Sequence, residues 1–311
     1  MSKNIENGTK TYKTVRAAVR EAMSSKTRAV IFNGDSLNLV RALPDNSVNL
    51  TVTSPPYCMG REYEKSNSIR DFIEAHKIML PEIVRITKPG GSICWQIGHH
   101  ISQQVAYPLD YAVFALMQEI PGVSLRNRIV WTFSHGLHNS TRFSGRHETV
   151  LWFTKGANYH FDLDAVRVPQ KYPGKRHYKG PLKGEFSGNP KGKNPGDVWS
   201  IPNVKGNHIE KSDHPCQFPV ALVQRLARAL CPDGGLIFDP YMGSGSAGVA
   251  ALLENKKFLG AEIQTEYVEI AKNRLTETIE GNARFRPLDR PIYEPTPDTT
   301  LTKLPEHFVI N

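Results

Sequence analysis

The sequence has few cysteines and no long apolar run. Four cysteines occur in 311 residues, and no two of them form a C-x-x-C pair. Cysteine this sparse excludes a disulfide scaffold and disfavours a structural zinc site. No apolar stretch approaches the ~20 residues that cross a bilayer, and residues 1–13 are polar, unlike a secretory signal. These absences predict a soluble cytoplasmic protein with no membrane partner and no bound metal.

Acidic residues are also in deficit. The chain has 39 Lys and Arg against 30 Asp and Glu, a net charge of +9. Much of the excess lies in residues 155–211, which hold eleven basic and five acidic residues, eight glycines and six prolines. Aromatic side chains are interleaved there, so this segment could neutralise phosphates and stack on bases. A solvated insertion that binds nothing is equally compatible with the composition.

Strands and helices alternate along most of the chain. Apolar and β-branched runs predict strands at 29–32, 48–53, 92–97, 128–133, 149–153, 235–238 and 258–261. Apolar residues at helical spacing predict helices at 37–43, 69–87, 109–119, 219–230, 246–253 and 265–279. This alternation predicts an α/β fold, with a mostly parallel sheet and helices on both faces. Residues 1–27, with a short helix near 12–23, and 283–311 are predicted to be terminal extensions.

A glycine-rich turn follows one predicted strand and leads into a helix. It reads Asp239-Pro240-Tyr241-Met242-Gly243-Ser244-Gly245-Ser246. Small residues let a ligand approach the backbone closely, and ligands of open α/β sheets bind outside the carboxyl ends of the strands. The next strand ends in Glu262, a carboxylate well placed to accept hydrogen bonds from ribose hydroxyls. The two strand ends predict a pocket for a nucleoside cofactor.

The same turn also fits the dinucleotide fingerprint G-x-G-x-x-G, at Gly243, Gly245 and Gly248. Two features argue against NAD. The charge of Asp239 would not favour a pyrophosphate, although it could receive a positively charged amine. Glu262 follows Gly248 by fewer residues than the usual ~20. A nicotinamide dehydrogenase therefore stays the alternative enzyme class.

The second motif is Thr53-Ser54-Pro55-Pro56-Tyr57, directly after a strand. Two prolines stiffen the backbone and remove two N–H donors. The Ser54 hydroxyl and the Pro55 carbonyl can accept the two hydrogens of an exocyclic amine, while Tyr57 stacks on the ring. Holding both hydrogens out of the ring plane would localise the nitrogen lone pair and make it nucleophilic. A proline-rich turn with a packing tyrosine is the structural alternative.

The two motifs together resemble the S-adenosylmethionine-dependent DNA amino-methyltransferases. Their catalytic motif is D/N/S-P-P-Y/F and their cofactor motif is D-P-F-x-G-S-G-T. The catalytic motif comes first here, which is similar to the circularly permuted beta group, with a target-recognition region between the motifs. Further segments match, at 33–48, 194–199 and 214–219. Tyr241 and Ser246 depart mildly from the family's Phe and Thr.

The resemblance implies a role for each matching residue. It implies that Ser54, Pro55, Pro56 and Tyr57 are catalytic. It implies that the cofactor is S-adenosylmethionine, bound by Asp35, Thr53, Phe218, Asp239, Pro240, Gly243, Ser244, Gly245, Ser246 and Glu262. The fold would be the Rossmann-like methyltransferase fold, with a catalytic domain at 28–154 and 214–282. A basic, loop-rich target-recognition region would occupy 155–213.

The implied activity is methylation of the amine of a base flipped out of double-stranded DNA. Serine at the first motif position resembles the cytosine-N4 group more than the adenine-N6 group, so cytosine is favoured and adenine is second. Basic side chains expected at the DNA are Arg142, Arg146, Lys171, Lys175, Arg176, Lys179 and Lys183. A cognate restriction endonuclease is a possible partner, and monomer or dimer is undecided. A non-catalytic DNA-binding protein would explain the charge but neither motif.

Overall fold

The structure is a computed structural model, and it describes residues 8–24, 26–57, 68–136, 138–297, 299–300 and 302–305. Its strands are β1 (Thr9–Tyr12), β2 (Ala29–Asn33), β3 (Val48–Thr53), β4 (Thr87–Ile97), β5 (His99–Ser102), β6 (Val105–Pro108), β7 (Val123–Thr132), β8 (His147–Lys155), β9 (Val198–Ser200), β10 (Leu236–Asp239) and β11 (Lys257–Glu262). Its α-helices are α1 (Val15–Met23), α2 (Ser36–Ala42), α3 (Ile69–Ile86), α4 (Leu109–Gln118), α5 (Val220–Leu230), α6 (Ser246–Leu253) and α7 (Thr265–Ile279).

Nine of these strands form one sheet in the order β1-β2-β11-β10-β3-β4-β8-β7-β9. Neighbouring strands are parallel except where β8 pairs with β4 and with β7, so β8 alone of the nine runs against the rest. The late strands β10 and β11 lie between the early strands β2 and β3. This interleaving confirms the predicted, mostly parallel sheet with permuted motif order.

Helices cover both faces of the sheet, as predicted. On one face α5, α6 and α7 pack in a core that includes Leu226, Ile237 and Leu275. On the other face α1 to α4 pack in a second core that includes Phe72, Ile83 and Trp95. Helix α5 packs on the sheet because most of its side chains are buried apolar residues, and its two arginines lie at the edges of this buried face. Within the described residues, no helix is both long and apolar enough to cross a membrane.

The two motif-bearing strands are neighbours. Strand β10 pairs with β3 in parallel register, Ile237 opposite Leu50 and Phe238 opposite Thr51. Parallel register brings their carboxyl ends to the same edge of the sheet. The proline-rich motif and the glycine turn therefore leave adjacent strands at one edge, although they lie far apart in the chain.

The N-terminal segment joins the sheet, although its polar sequence predicts a terminal extension. Strand β1 pairs in parallel with β2, and Ala18 and Ala22 of α1 are buried. Residues 9–12 read T-K-T-Y, so no apolar run marks the strand, and edge strands need none.

Strand β4 begins at Thr87, earlier than predicted. The sequence Lys88-Pro89-Gly90-Gly91 carries typical stop signals, and it does end the preceding helix. It then forms an irregularity inside the strand, because Thr87 lies opposite Val48 and Ser92 opposite Leu50. Gly90 has φ +77° there, so the bulge needs glycine.

Residues 155–213 are mostly loops. They include a short 3-10 turn (Asp164–Val166), and isolated β-bridges join Val168 to Lys193 and Arg176 to Phe186. Strand β9 then pairs with β7 and becomes the far edge of the sheet. The described part of the C-terminal tail is mostly exposed, but the Arg286 N–H donates to the buried Glu210 carboxylate at 3.0 Å.

Candidate active site

The two motifs line one cavity of about 850 Å³ at the carboxyl edge of the sheet. All four residues Ser54–Tyr57 form part of its wall. The cofactor-binding candidates at the wall are Asp35, Phe218, Pro240, Gly243, Ser244, Ser246 and Glu262. The other three, Thr53, Asp239 and Gly245, are buried directly behind it. Residues that are distant in the chain thus share one cavity, and its volume lies within the range of small-molecule and cofactor sites.

Backbone hydrogen bonds shape the glycine turn. The Met242 N–H donates to the Ala261 carbonyl at 2.9 Å, which ties the turn to β11. The Gly243 N–H donates to Oε2 of Glu262 at 3.0 Å. Gly245 has φ +79° as the residue before α6. A Cβ at Gly245 would lie 2.9 Å from the Ala271 Cβ of α7, so glycine is required by both conformation and contact.

Gly245→Ala is expected to lower the free energy of unfolding by about 2–5 kcal/mol. Left-handed backbone strain costs about 1–2 kcal/mol, and overpacking against α7 adds about 1–3 kcal/mol. Urea denaturation measures the change. Gly234→Ala is the matched control, because Gly234 has φ +67° and no atom lies within 4 Å of the position that its Cβ would take, so it should show the strain alone. Equal losses in both variants would contradict the packing contribution.

A buried carboxylate connects the two motifs. The Thr53 hydroxyl donates to Oδ1 of Asp239 at 2.6 Å, and the Tyr241 N–H donates to the same oxygen at 3.0 Å. Oδ2 of Asp239 is buried and has no hydrogen-bond partner among the described residues. Burial raises the pKa of Asp239 to about 7, and the Thr53 and Tyr241 donors oppose that rise. A buried oxygen with spare acceptor capacity is suited to a cationic or N–H donor.

Glu262 closes the other side of the turn. Its two carboxylate oxygens accept from the Gly243 N–H and, at 2.8 Å, from the Gln264 N–H. Burial raises the pKa of Glu262, while its backbone N–H donors oppose the rise. A carboxylate held by backbone donors at the wall retains lone pairs for a pair of hydroxyl groups.

The proline-rich segment forms the opposite lip of the cavity. Ser54 and Tyr57 are half-buried, Pro55 is buried and Pro56 is exposed. The hydroxyl oxygens of Ser54 and Tyr57 lie 3.4 Å apart. The Gln96 amide donates to the Tyr57 hydroxyl at 3.0 Å, which orients the aromatic ring from β4. The lip can thus present one hydroxyl, backbone carbonyls and one aromatic face to a flat substrate.

The phenol of Tyr57 stays neutral. Burial raises the pKa of Tyr57 well above its usual value, and the Glu148 carboxylate raises it further. The Gln96 amide also donates to Glu148, whose side chain comes from β8. A neutral tyrosine ring held between a turn and an amide can stack on a base without ionising.

Three residues of the cavity wall, and one residue behind it, were not predicted from the sequence. Gln96 and Glu148 stand inside or beside apolar strands, and only the pairing of β4 with β8 brings them to Tyr57. His76 accepts from the Trp95 indole N–H at 3.2 Å, and burial lowers the pKa of His76 to about 4, so its ring is neutral. Arg274 of α7 donates to the Ser244 carbonyl at 2.7 Å and holds the glycine turn from behind. No local sequence signal marks any of these four.

The predicted DNA-contacting side chains do not line the cavity. Arg142 is exposed and Arg146 is half-buried in the connection between β7 and β8. The others lie on the exposed surface of the 155–213 region, namely Lys171, Lys175, Arg176, Lys179 and Lys183. The Arg176 guanidinium stacks 4.0 Å from the Phe186 ring centroid, which holds an aromatic and a cation together on that surface.

This geometry defines an α/β protein in which the glycine turn and the proline-rich lip line one cavity at the carboxyl edge of the sheet. A family model described as DNA methylase (N6_N4_Mtase) matches residues 48–273. The Type II methyltransferase M.BglII of Bacillus subtilis is 43% identical over 256 residues, which cover 82% of this chain and 71% of the relative. The chain therefore belongs to the N6_N4_Mtase family of DNA methylases. Membership decides against the dehydrogenase and the non-catalytic DNA-binding alternatives.

Solved structures share the fold. The PvuII DNA methyltransferase (cytosine-N4-specific) has a TM-score of 0.62 at 21% identity, covering 80% of this chain and 90% of that one. TTHA0409 of Thermus thermophilus, solved in complex with S-adenosyl-L-methionine, has a TM-score of 0.58 at 22% identity, covering 81% and 96%. These likenesses confirm the predicted Rossmann-like methyltransferase fold.

Proposed function

We propose that this chain transfers a methyl group from S-adenosylmethionine to the exocyclic amine of a flipped base in double-stranded DNA, with cytosine N4 the favoured target. One observation carries the proposal. The Thr53–Asp239 hydrogen bond, 2.6 Å long, joins the strand that ends in the Ser54–Tyr57 lip to the strand that ends in the glycine turn. Donor and acceptor of the methyl group would then share one cavity.

The residues of the turn fit the cofactor. The spare oxygen of Asp239 suits the cationic amine of its amino-acid end, and Glu262 suits the ribose hydroxyls. Phe218 offers an apolar surface, and Asp35, which caps α2 through the Leu37 N–H at 2.8 Å, lies at the outer end of the same wall. The glycines leave room for the ligand to approach the backbone.

The lip activates and positions the base. When bound, S-adenosylmethionine supplies a methyl group made electrophilic by its sulfonium. Ser54 and the Pro55 carbonyl accept the two amine hydrogens and localise the nitrogen lone pair, while Tyr57 stacks on the ring. The amine becomes strongly acidic on methylation, so its extra proton passes to these acceptors and then to water. No strong base is required, and the catalysis is mainly positioning.

Serine at position 54 supports cytosine over adenine. A hydroxyl accepts a hydrogen bond from an amine but carries no charge, in contrast to the Asp of many adenine enzymes. The test is direct: incubate the protein with methyl-labelled cofactor and plasmid DNA, digest the DNA and separate the nucleosides. N4-methylcytosine is expected, N6-methyladenine would leave the activity intact but reassign the base, and an absence of both would refute the proposal.

The 155–213 region is proposed to recognise the target duplex. Its lysines project from loops with stacked aromatics, so they can reach phosphates while Tyr172, Tyr178 and Phe186 remain exposed. Binding should therefore weaken steeply with salt. Since M.BglII is a Type II methyltransferase, we propose that this chain also protects DNA against a cognate endonuclease. We place it in the cytoplasm with the DNA.

Thr53→Val is expected to weaken binding of S-adenosylmethionine by about 10-fold at pH 7. The Thr53 hydroxyl already donates to Asp239 in the free protein, and a hydrogen bond to an ionised acceptor contributes about 1.5–3 kcal/mol. Its loss therefore raises the pKa of Asp239, which lowers the ionised fraction of the carboxyl at pH 7 and raises the pH at which binding is half-maximal. Calorimetric titration at several pH values measures both effects. Thr51→Val, at the buried position two residues earlier, is the control and should leave both unchanged.

A further inference from the structure

Phe143 is a fully exposed aromatic side chain, with 100% of its surface accessible to water. It lies in the connection between β7 and β8, residues 133–146, which the structure describes except for position 137. Such exposure of a large apolar ring is unfavourable in the free protein. A partner that buries the ring on binding would recover that free energy.

The connection begins and ends at the active-site cavity. Phe133, its first residue, and Glu148, which follows its end in β8, both line the cavity wall. Strand β7 ends and the antiparallel β8 begins at the sheet edge that carries the lip and the glycine turn. At the base of the connection, the Asn203 amide donates to the His135 carbonyl at 3.0 Å. Phe143 therefore lies on a loop whose two ends are at the wall of the cavity proposed to receive the base.

The tip that carries Phe143 is preorganised. Oδ1 of Asn139 accepts from the Thr141 N–H at 2.9 Å and from the Arg142 N–H at 3.1 Å. The Asn139 N–H donates to the Ser144 hydroxyl at 3.0 Å, which closes the tip on the other side of the ring. A tip held in this way loses little conformational freedom when it binds.

The surroundings of Phe143 are basic. Residues 133–147 contain Arg142, Arg146 and three histidines, and no acidic residue. The exposed aromatics Tyr172 and Tyr178 are also near cations, but their loops neither begin nor end at the cavity. Phe143 alone of these three rings combines full exposure, nearby arginines and a loop that is anchored at the cavity wall at both ends.

We propose that Phe143 inserts into the base stack of the target duplex, in the gap left by the flipped base, while Arg142 contacts a flanking phosphate. The proposal rests on the proposed function, because it requires a base to leave the duplex. A flipped base leaves its former neighbours unstacked, and an aromatic ring can stack on them instead. Phe143 is thus assigned to the flipping step rather than to methyl transfer.

The test compares two synthetic duplexes that carry the methylation site mapped in expressing cells. In one the target base is paired, and in the other it faces an abasic position, so that it leaves the stack easily. Phe143→Ala should lower kcat/KM on the paired duplex about 5- to 150-fold, the range for one lost stacking contact. On the duplex with the abasic position it should stay within about 2-fold of wild type. Phe143→Trp should restore methylation of the paired duplex.

Tyr178→Ala, which removes another exposed ring, is the matched control and should not distinguish the two duplexes. Equal loss on both duplexes, or no loss on either, would overturn the assignment of Phe143 while leaving the proposed function standing. A wild-type protein that methylates neither duplex would overturn the proposed function, and the role of Phe143 with it. Thermal unfolding of Phe143→Ala should match wild type, because the ring touches no core.

Discussion

Replacement of Tyr57 by alanine is expected to lower kcat/KM for DNA methylation by about 100-fold or more. Stacking on a base contributes about 1–3 kcal/mol, and a base that is free to shift by ~1 Å loses a further ~100-fold through misalignment. The Tyr57 ring is held by the Gln96 amide at 3.0 Å, so its removal also frees that amide. Single-turnover methylation of a duplex that carries the site measures the loss.

Tyr57→Phe is the matched control for this prediction. It keeps the aromatic face and removes only the hydroxyl, so the expected loss is that of one neutral hydrogen bond, about 0.5–1.5 kcal/mol. Cofactor affinity should be unchanged in both variants, because Tyr57 is proposed to contact the base and not the cofactor. Full activity in Tyr57→Ala would mean that the ring does not stack on the base.

Asp239→Ala is expected to weaken S-adenosylmethionine binding by at least about 30-fold. Removing one partner of a buried, hydrogen-bonded charge pair costs about 2–5 kcal/mol, and each 1.4 kcal/mol is tenfold in affinity. The substitution also leaves the Thr53 hydroxyl and the Tyr241 N–H without their acceptor. Calorimetric titration measures the affinity, and the alanine variant should still show a cooperative unfolding transition.

The pH dependence of S-adenosylmethionine binding by the wild-type protein tests the same role of Asp239 without a substitution. Burial holds the pKa of Asp239 at about 7, and only the ionised carboxylate pairs with a cationic amine. Affinity should therefore rise with pH, with about 10-fold weaker binding at pH 6 than with the carboxylate fully ionised. Above pH ~8 an α-amino group loses its proton, so the profile should turn down again. A flat profile between pH 5.5 and 7.5 would contradict the role of Asp239.

The raised pKa of Asp239 also determines how the folding stability of the protein changes with pH. The unfolded chain ionises this carboxyl near pH ~3.9, so the folded protein holds the extra proton between that pH and about 7. The contribution of Asp239 to stability is full below pH ~3.9 and is lost as the pH rises through about 7. The thermal stabilisation given by added S-adenosylmethionine should grow over the upper part of the same window.

Local patterns were enough for the motifs and for the main elements. The lip and the glycine turn are continuous runs whose prolines and glycines restrict the backbone directly. The strands that precede them are apolar and β-branched over most of their length, as expected for strands buried on both faces. Strand β1 escaped prediction, because an edge strand with polar side chains has no such pattern.

The amino-acid order alone therefore predicted an α/β fold, which the structure confirms, together with a cofactor turn at Asp239–Ser246 and an amine-accepting lip at Ser54–Tyr57, because each depends on residues adjacent in the chain. Three-dimensional packing was needed to bring Gln96 and Glu148 to Tyr57, to place Arg274 behind the turn, and to bring both ends of the loop that carries Phe143 to the cavity wall. Those contacts join residues distant in the chain through strand register and helix packing, and register depends on the whole sheet rather than on any one segment. The Thr53–Asp239 hydrogen bond depends on both the sequence and the tertiary structure. Each partner ends a strand that the sequence predicts, and only the pairing of β3 with β10 brings the two side chains within 2.6 Å.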